Sequence, residues 1–430
     1  MKLSFINSKE SKNAMWIIGG KVVQMLLSLF VGVLSARYLG PANYGSISYG
    51  MALTSFFMSF CTLGLHNISV KDFIENPNEQ GKALGTAIVI RMLTSTASCI
   101  MIICISFVID FGDWETIAVV ALCSISLIFH AFDTINYWFQ SQYRSKANAI
   151  ASLMAYVTVS AYKIVLLILK KNVLWFAFAA ALDYIALGIV QLIAYKRNQG
   201  PKMSLSWRKG KDLLGQSYHY ILSGMMVAIY GQTDKLMLKQ MLNEEMVGYY
   251  ATAVAICSMW TFVLNAIIDS MYPSIILSFK EDKESFNRKN RQLYAIVFYV
   301  SALVSLCFLV FGKLAITILY GEAYIPAATP LKIVSWYTAF SYFGVARGAW
   351  MVCNKKQHYL KYMYIAAAIT NVGLNLLLIP KFGASGAAMA SLVTQILTSI
   401  VLPMFIPALR ENAKLMLEAI MLKGVIPRKK

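Results

Sequence analysis

Twelve apolar stretches, each long enough to cross a bilayer as a helix, follow one another along the 430 residues, and nothing else constrains the fold as strongly. A helix spans the hydrocarbon with roughly 20 apolar residues. The stretches lie near 15–36, 46–65, 83–109, 116–139, 148–169 and 173–194, then near 213–241, 247–276, 293–319, 328–352, 359–379 and 385–407. Their apolar residues run continuously rather than at every second position, which argues against a barrel. Charged residues make up 14% of the chain, against about 25% in a soluble domain. A soluble enzyme, a disordered chain and a single-anchor receptor are excluded. The expected fold class is an all-α polytopic membrane protein with twelve transmembrane helices.

The net charge of +19 would suggest nucleic acid in a soluble protein, but its placement follows topology. Six Lys and Arg lie in the connector between the sixth and seventh stretches, five between the eighth and ninth, and six in the tail. The alternate loops hold only Arg37, Lys170, Lys171 and Lys381. By the positive-inside rule both termini are expected in the cytoplasm. Topology and anionic lipid account for the basic excess, and no nucleic-acid partner is expected. The seven cysteines sit in or beside apolar segments, without CxxC pairs or metal-ligand spacing, and no metal or cofactor is expected.

The longest connector divides the chain. The expected organisation is an N-terminal six-helix bundle (1–195), a cytoplasmic basic linker (196–212), a C-terminal six-helix bundle (213–407) and a cytoplasmic, amphipathic, basic tail (408–430). The stretch 412–422 places Leu415, Met416, Ala419 and Ile420 on one side and is expected to lie on the membrane surface. The halves look like parallel repeats: Leu39-Gly40-Pro41-Ala42-Asn43-Tyr44-Gly45 follows the first stretch, and a segment ending Val247-Gly248-Tyr249-Tyr250 follows the seventh. Two similar bundles suit a transporter. No extracytoplasmic loop exceeds about ten residues, which argues against a membrane polymerase or ligase.

Polar residues inside the stretches recur at helical spacing. Lys21, Gln24, Ser28, Gly32 and Ser35 share a face, as do Arg91, Thr94 and Ser98; Ser126, His130, Asp133 and Tyr137 line the fourth stretch. Asp234 precedes Lys235, and Ser258, Thr261, Asn265 and Asp269 are in register. Asn371 and Asn375, then Ser391, Gln395 and Thr398, follow in the last two stretches. Charge in hydrocarbon is costly, and such residues mark function more often than surface residues do. The bland reading stands beside this: Lys163, Lys239, Lys313, Lys332 and Arg347 lie near stretch ends and can snorkel. Lys21, Arg91, Lys235 and Arg347 would suit an anionic substrate. Asp234 and Asp269 are the candidate coupling carboxylates. No GxxxxGK[ST] motif is present, and an ion gradient is the expected energy source.

Several pieces resemble one family. Ser35-Ala36-Arg37-Tyr38-Leu39-Gly40-Pro41-Ala42-Asn43-Tyr44-Gly45 is similar to the signature after the first helix of polysaccharide-unit flippases, the Wzx-type O-antigen transporters. Tyr137-Trp138-Phe139-Gln140, Thr233-Asp234-Lys235-Leu236-Met237-Leu238, Leu319-Tyr320-Gly321-Glu322-Ala323-Tyr324 and Asn375 through Ala388 agree in order across the chain. The larger superfamily includes multidrug and toxin extruders and lipid II flippases. The resemblance implies two six-helix bundles forming a V around a central cavity, with alternating access and no enzymatic activity. It implies a multi-pass protein of the bacterial inner membrane that moves an undecaprenyl-diphosphate-linked glycan from the cytoplasmic to the periplasmic leaflet. Membrane lipids, the polysaccharide polymerase and the chain-length regulator are the partners to expect. Arg37 and Asp234 carry over from the family motifs; Lys21, Gln24, Arg91, Lys235, Arg347 and Asp269 come from this sequence. A multidrug exporter of the same fold, and a non-transporting scaffold of polysaccharide assembly, are the alternatives.

Overall fold

The computed structural model describes residues 9–142 and 144–425, with side chains described from Gln24 onward except at positions 26, 145–147, 218–224, 226, 227, 229 and 230. Secondary structure among the described residues is helical throughout. Nine helices among these residues are long and apolar enough to cross a membrane, and the chain is a multi-pass membrane protein. The twelve expected stretches fall on helix, but not one to one. The first two share α1 (Lys9–Thr62), which is interrupted by the non-helical Gly40 ahead of Pro41. Those over 213–241 and 328–352 lie on helices outside the nine.

By internal contacts the chain divides into two compact units, Met1–Gln232 and Thr233–Lys430. In the first, α1 is followed by α2 (Leu65–Glu75), α3 (Gln80–Ile109), α4 (Trp114–His130), α5 (Thr134–Ser141), α6 (Ser145–Ile168) and α7 (Val173–Arg197). A short 3-10 turn, Ala131–Asp133, separates α4 from α5. The helix α8 (Trp207–Met241) carries the division between the units within its length. The second unit continues with α9 (Glu244–Ser258), α10 (Thr261–Glu281), α11 (Lys283–Tyr320), α12 (Ala328–Ala346), α13 (Gly348–Cys353), α14 (Leu360–Phe382), α15 (Ala384–Ile396), α16 (Leu402–Phe405) and α17 (Arg410–Ile420). A single π-helical turn, Leu397–Val401, lies between α15 and α16. Side-chain caps fix several helix starts: Asp113, Asn243 and Asp282 each accept from the backbone N–H three residues on.

The division falls beyond the stretch that looks like a free linker, and the reason is local bonding. The Tyr195 hydroxyl donates to the Pro201 carbonyl at 2.5 Å, and Ser204 N–H donates to the Gly81 carbonyl at 3.1 Å. Ser206 N–H reaches Thr86 Oγ1 at 2.8 Å. Lys209 Nζ then pairs with Asp72 at 2.8 Å and Glu79 at 3.3 Å. Burial opposes the Lys209 charge, but these two carboxylates together hold its ammonium above the ordinary lysine range. The connector and the start of α8 are therefore strapped to the first unit.

The tail corrects a second expectation. The apolar face of α17 is not free to lie on a membrane, because Leu415, Met416 and Ala419 are buried in the core of the second unit with Leu293, Tyr294 and Phe343. Its polar edge is bonded to α11: Asn412 Nδ2 donates to Tyr294 Oη at 2.6 Å, Lys283 pairs with Glu411 at 2.9 Å, and Arg291 pairs with Glu418 at 2.7 Å. Burial pushes the Glu411 carboxyl up, but the bonds from Lys283 and Asn287 bring it below the usual glutamate range.

Close backbone approach makes Gly81 a sensitive point. A Cβ there would stand 2.3 Å from the Lys202 carbonyl oxygen, whereas one at Gly373 would meet nothing within 4 Å. Gly81→Ala is expected to cost about 1–3 kcal/mol and lower the melting temperature of the detergent-solubilised protein. Gly373→Ala should leave it unchanged or slightly raised. Equal melting of the two variants would show that the connector does not pack on α3 as described.

Candidate functional site

Two buried charged residues, one in each unit, sit within extensive polar networks, and the two are built differently. In the first unit the charge is Arg91 on α3, which is fully buried. Two interrupted helices meet its guanidinium. One is α1, which ends just past Cys61 before Leu63 and Gly64 turn the chain at positive φ. The other is α4, which ends at His130. Helix ends leave carbonyls without intrahelical partners, and Arg91 takes two of them: Nε donates to Cys61 O at 3.3 Å and Nη2 to His130 O at 3.1 Å. The remaining bonds go to the same side of the broken helix. Nη1 donates to Thr134 Oγ1 at 2.7 Å and Tyr137 Oη at 3.4 Å, and Nη2 to His130 Nδ1 at 2.7 Å. A guanidinium has five N–H donors, and all five are engaged. Chemically this is a clamp that closes two helix breaks, with no donor left over for a phosphate.

In the second unit the charge is Asp234, buried on α8. Four donors from three other helices surround its carboxylate. Tyr250 Oη on α9 donates to Oδ2, and Ser391 Oγ on α15 donates to the same oxygen at 2.5 Å. From α14, Asn371 and Asn375 donate to Oδ1 at 3.0 Å and 2.7 Å. The two asparagines stand one helical turn apart, and Asn375 also donates to Asn371 Oδ1 at 3.1 Å. Among the described residues no Lys, Arg or His lies within 4 Å of Asp234, and Asn375 Oδ1 is buried without a partner. Burying an unpaired carboxylate is very costly; among the described residues its hydrogen bonds all come from neutral groups, and the Lys235 charge acts on it through space. One carboxylate with amide and hydroxyl oxygens is a donor set that a hard monovalent cation or a proton can enter. No group of three or more His, Cys, Asp and Glu able to hold a metal occurs among the described residues.

The other site residues expected from sequence differ in exposure and bonding. Lys21 lies outside the described side chains, and Gln24 is half-buried on α1. Arg37 and Asp269 are exposed. Lys235 is half-buried beside Asp234 and makes no hydrogen bond or ion pair among the described residues. Arg347, between α12 and α13, is 6% exposed, yet among the described residues it holds one bond, from Nη1 to Thr398 O in the π turn at 3.4 Å, and its Nε has no partner. Arg91 and Arg347 thus differ sharply: the first is saturated and the second is short of acceptors. Sequence reasoning singled out Asn371, Asn375 and Ser391 as polar faces without joining them to Asp234, and it passed over Tyr250. The four-residue spacing of the asparagines was the available signal. Which helix they face depends on packing.

A family described as polysaccharide biosynthesis protein matches residues 11–278. The capsular polysaccharide biosynthesis protein CapF of Staphylococcus aureus is 18% identical over 395 residues, covering 89% of this chain and 96% of that protein. A putative O-antigen transporter of Escherichia coli strain K12 is 20% identical over 389 residues, covering 89% and 92%. Among solved structures, an inward-facing multidrug resistance MATE family transporter of the MOP superfamily superposes with a TM-score of 0.68 at 13% identity, over 91% of this chain and 96% of that one. The lipid II flippase MurJ in an inward closed conformation gives 0.66 at 14% identity, over 95% and 91%. The fold is that of these transporters.

A clamp and a ligand-binding arginine respond differently to lysine, which keeps the charge but has three donors at one point. Arg91→Lys is expected to lose on the order of 3 kcal/mol and to melt well below the wild type, as measured by thermal unfolding in detergent. A variant that melts normally would remove the clamp role.

Proposed function

The chain belongs to the polysaccharide biosynthesis protein family, and on that premise we propose that it is a flippase for an undecaprenyl-diphosphate-linked oligosaccharide. It carries the repeat unit from the cytoplasmic to the periplasmic leaflet of a bacterial inner membrane, with both termini in the cytoplasm, and acts as a transporter rather than an enzyme. The similarity to the O-antigen transporter along nearly nine-tenths of the chain carries the reading. The transporter fold and the buried charges agree with it.

The roles follow from what each charge has left to offer. Arg347, with a free Nε, and Lys235, with no partner among the described residues, are the cations available to a diphosphate. Lys21, Gln24 and Arg37 are the further substrate contacts that the sequence suggests. Arg91 holds the scaffold. Asp234 is the coupling carboxylate: its shell of four neutral donors can rearrange around a cation or a proton without breaking an ion pair. Asp269, exposed on α10, is left without such a shell. The polymerase and chain-length regulator are the partners that would receive the product.

The test is complementation of a strain lacking this gene, read as surface polysaccharide and as lipid-linked units accumulating in the cytoplasmic leaflet. Wild type should restore polymer. Asp234→Asn and Arg347→Gln, at matched membrane abundance, should each restore less than about one-tenth of it. Normal polymer in the deletion strain, with no second flippase present, would reject the reading in favour of a multidrug exporter of the same fold. Full restoration by both variants would favour a non-transporting scaffold.

A further inference from the structure

We propose that Asp133, Asn148 and Gln191 in the first unit form a subsite for a hydroxyl-rich sugar, which reads the glycan of the lipid-linked substrate rather than its diphosphate. The proposal rests on the flippase reading and adds to it a place where substrates differing in their sugars are told apart.

The three residues come from three segments. Asp133 closes the 3-10 turn between α4 and α5, Asn148 lies in the first turn of α6, and Gln191 lies on α7. Gly188, one turn before Gln191, allows the approach: a Cβ there would stand 3.2 Å from Phe132 Cβ. Gln191 is completely buried, and its Nε2 donates to Asn148 Oδ1 at 2.8 Å and to Asp133 Oδ1 at 3.3 Å. Reversing the amide would set its carbonyl against the carboxylate, and Asp133 thereby fixes its orientation. Among the described residues Gln191 Oε1 is left buried with no partner. One amide nitrogen thus serves two acceptor groups, and a third acceptor beside it is unserved. A buried acceptor left unpaired is costly, and the deficit here is of O–H or N–H donors.

The charge balance selects the kind of donor. No cation lies within 4 Å of Asp133 among the described residues, but Arg91 is near enough to act on it electrostatically. That guanidinium is fixed by its own five bonds and cannot withdraw. A metal ion entering the site would be repelled by it, whereas a neutral ligand carrying several hydroxyls would not. An apolar face is also at hand. Tyr184, seven residues before Gln191 on α7, is half-exposed and packs edge-on against His130 with ring centroids 4.8 Å apart. Acceptor-rich polar groups beside an aromatic ring match a sugar, with its hydroxyls on the edge and C–H groups on the face.

The test uses the purified full chain in nanodiscs and two probes. One is undecaprenyl diphosphate without sugar; the other is the lipid-linked unit extracted from the native host after deletion of this gene. Wild type should bind the glycosylated lipid about tenfold more tightly than the bare lipid. Asp133→Asn and Asn148→Ala should bind the bare lipid as wild type does and lose most of that preference. The two substitutions lie on different segments, and either one that melts normally decides the matter. A retained preference in the variants, or none in wild type, overturns the sugar subsite and leaves the flippase reading standing. Failure of wild type to bind either lipid overturns both.

Discussion

Every backbone polar group inside a bilayer must find its partner within the protein, because hydrocarbon offers none. Unbroken helices meet that demand by themselves. This chain breaks its helices within its apolar stretches, and each break releases carbonyls that something else must bond. The interruptions after Thr62 and after His130 are closed by one side chain, Arg91. In the second unit the interruption between α12 and α13 falls at another arginine, Arg347, which reaches the carbonyl of Thr398 in the π turn. Arginine suits the task because its planar fork presents several donors in fixed directions and retains its charge when buried. The breaks in turn place short polar segments, such as the 3-10 turn ending in Asp133, where a continuous helix would present a regular face.

Length and hydrophobicity alone make the architecture legible. Apolar runs of span length, separated by short loops, leave few alternatives to a polytopic helical fold, and the family pieces around Tyr137 and Asp234 narrow it to one superfamily. What the sequence conceals is the state of each charge. Arg91 and Arg347 look alike as letters, both cations about two turns or less from the end of an apolar stretch. Among the described residues one has five acceptors and the other a single long bond, and that difference depends on which neighbouring helices end nearby. Asp234 and Asp269 are likewise equivalent in sequence, each a carboxylate within an apolar stretch. Packing gives one of them four donors and leaves the other exposed.

The connector and the tail fail to read correctly for a related reason. Composition marks the stretch 196–212 as polar and basic, and a polar, basic stretch looks like a tether. Its bonds to Gly81, Thr86, Asp72 and Glu79 are tertiary and leave no periodic trace. The amphipathic pattern of α17 is real, but an apolar stripe along a helix does not say whether lipid or protein covers it. Asn412 bonded to Tyr294, with two ion pairs to α11, decides for protein.

The contrast between the two buried networks bears on how work could be divided between the units. A saturated guanidinium is held in place by bonds that all have to be replaced if it moves, and it resists change. A carboxylate ringed by hydroxyls and amides is different, because each of those donors can turn or serve another acceptor at modest cost. Among the described residues no ion pair to Asp234 has to be broken before a cation or proton arrives, and turning the Asn371 and Asn375 amides would exchange their N–H donors for carbonyl oxygens that can face a cation. A switch requires two arrangements of similar energy, and the Asp234 cage has the ingredients for that where the Arg91 clamp does not. On the flippase reading, the first unit contributes a rigid frame that presents polar groups to the substrate. The second contains the charge whose occupancy can bias the conformational equilibrium.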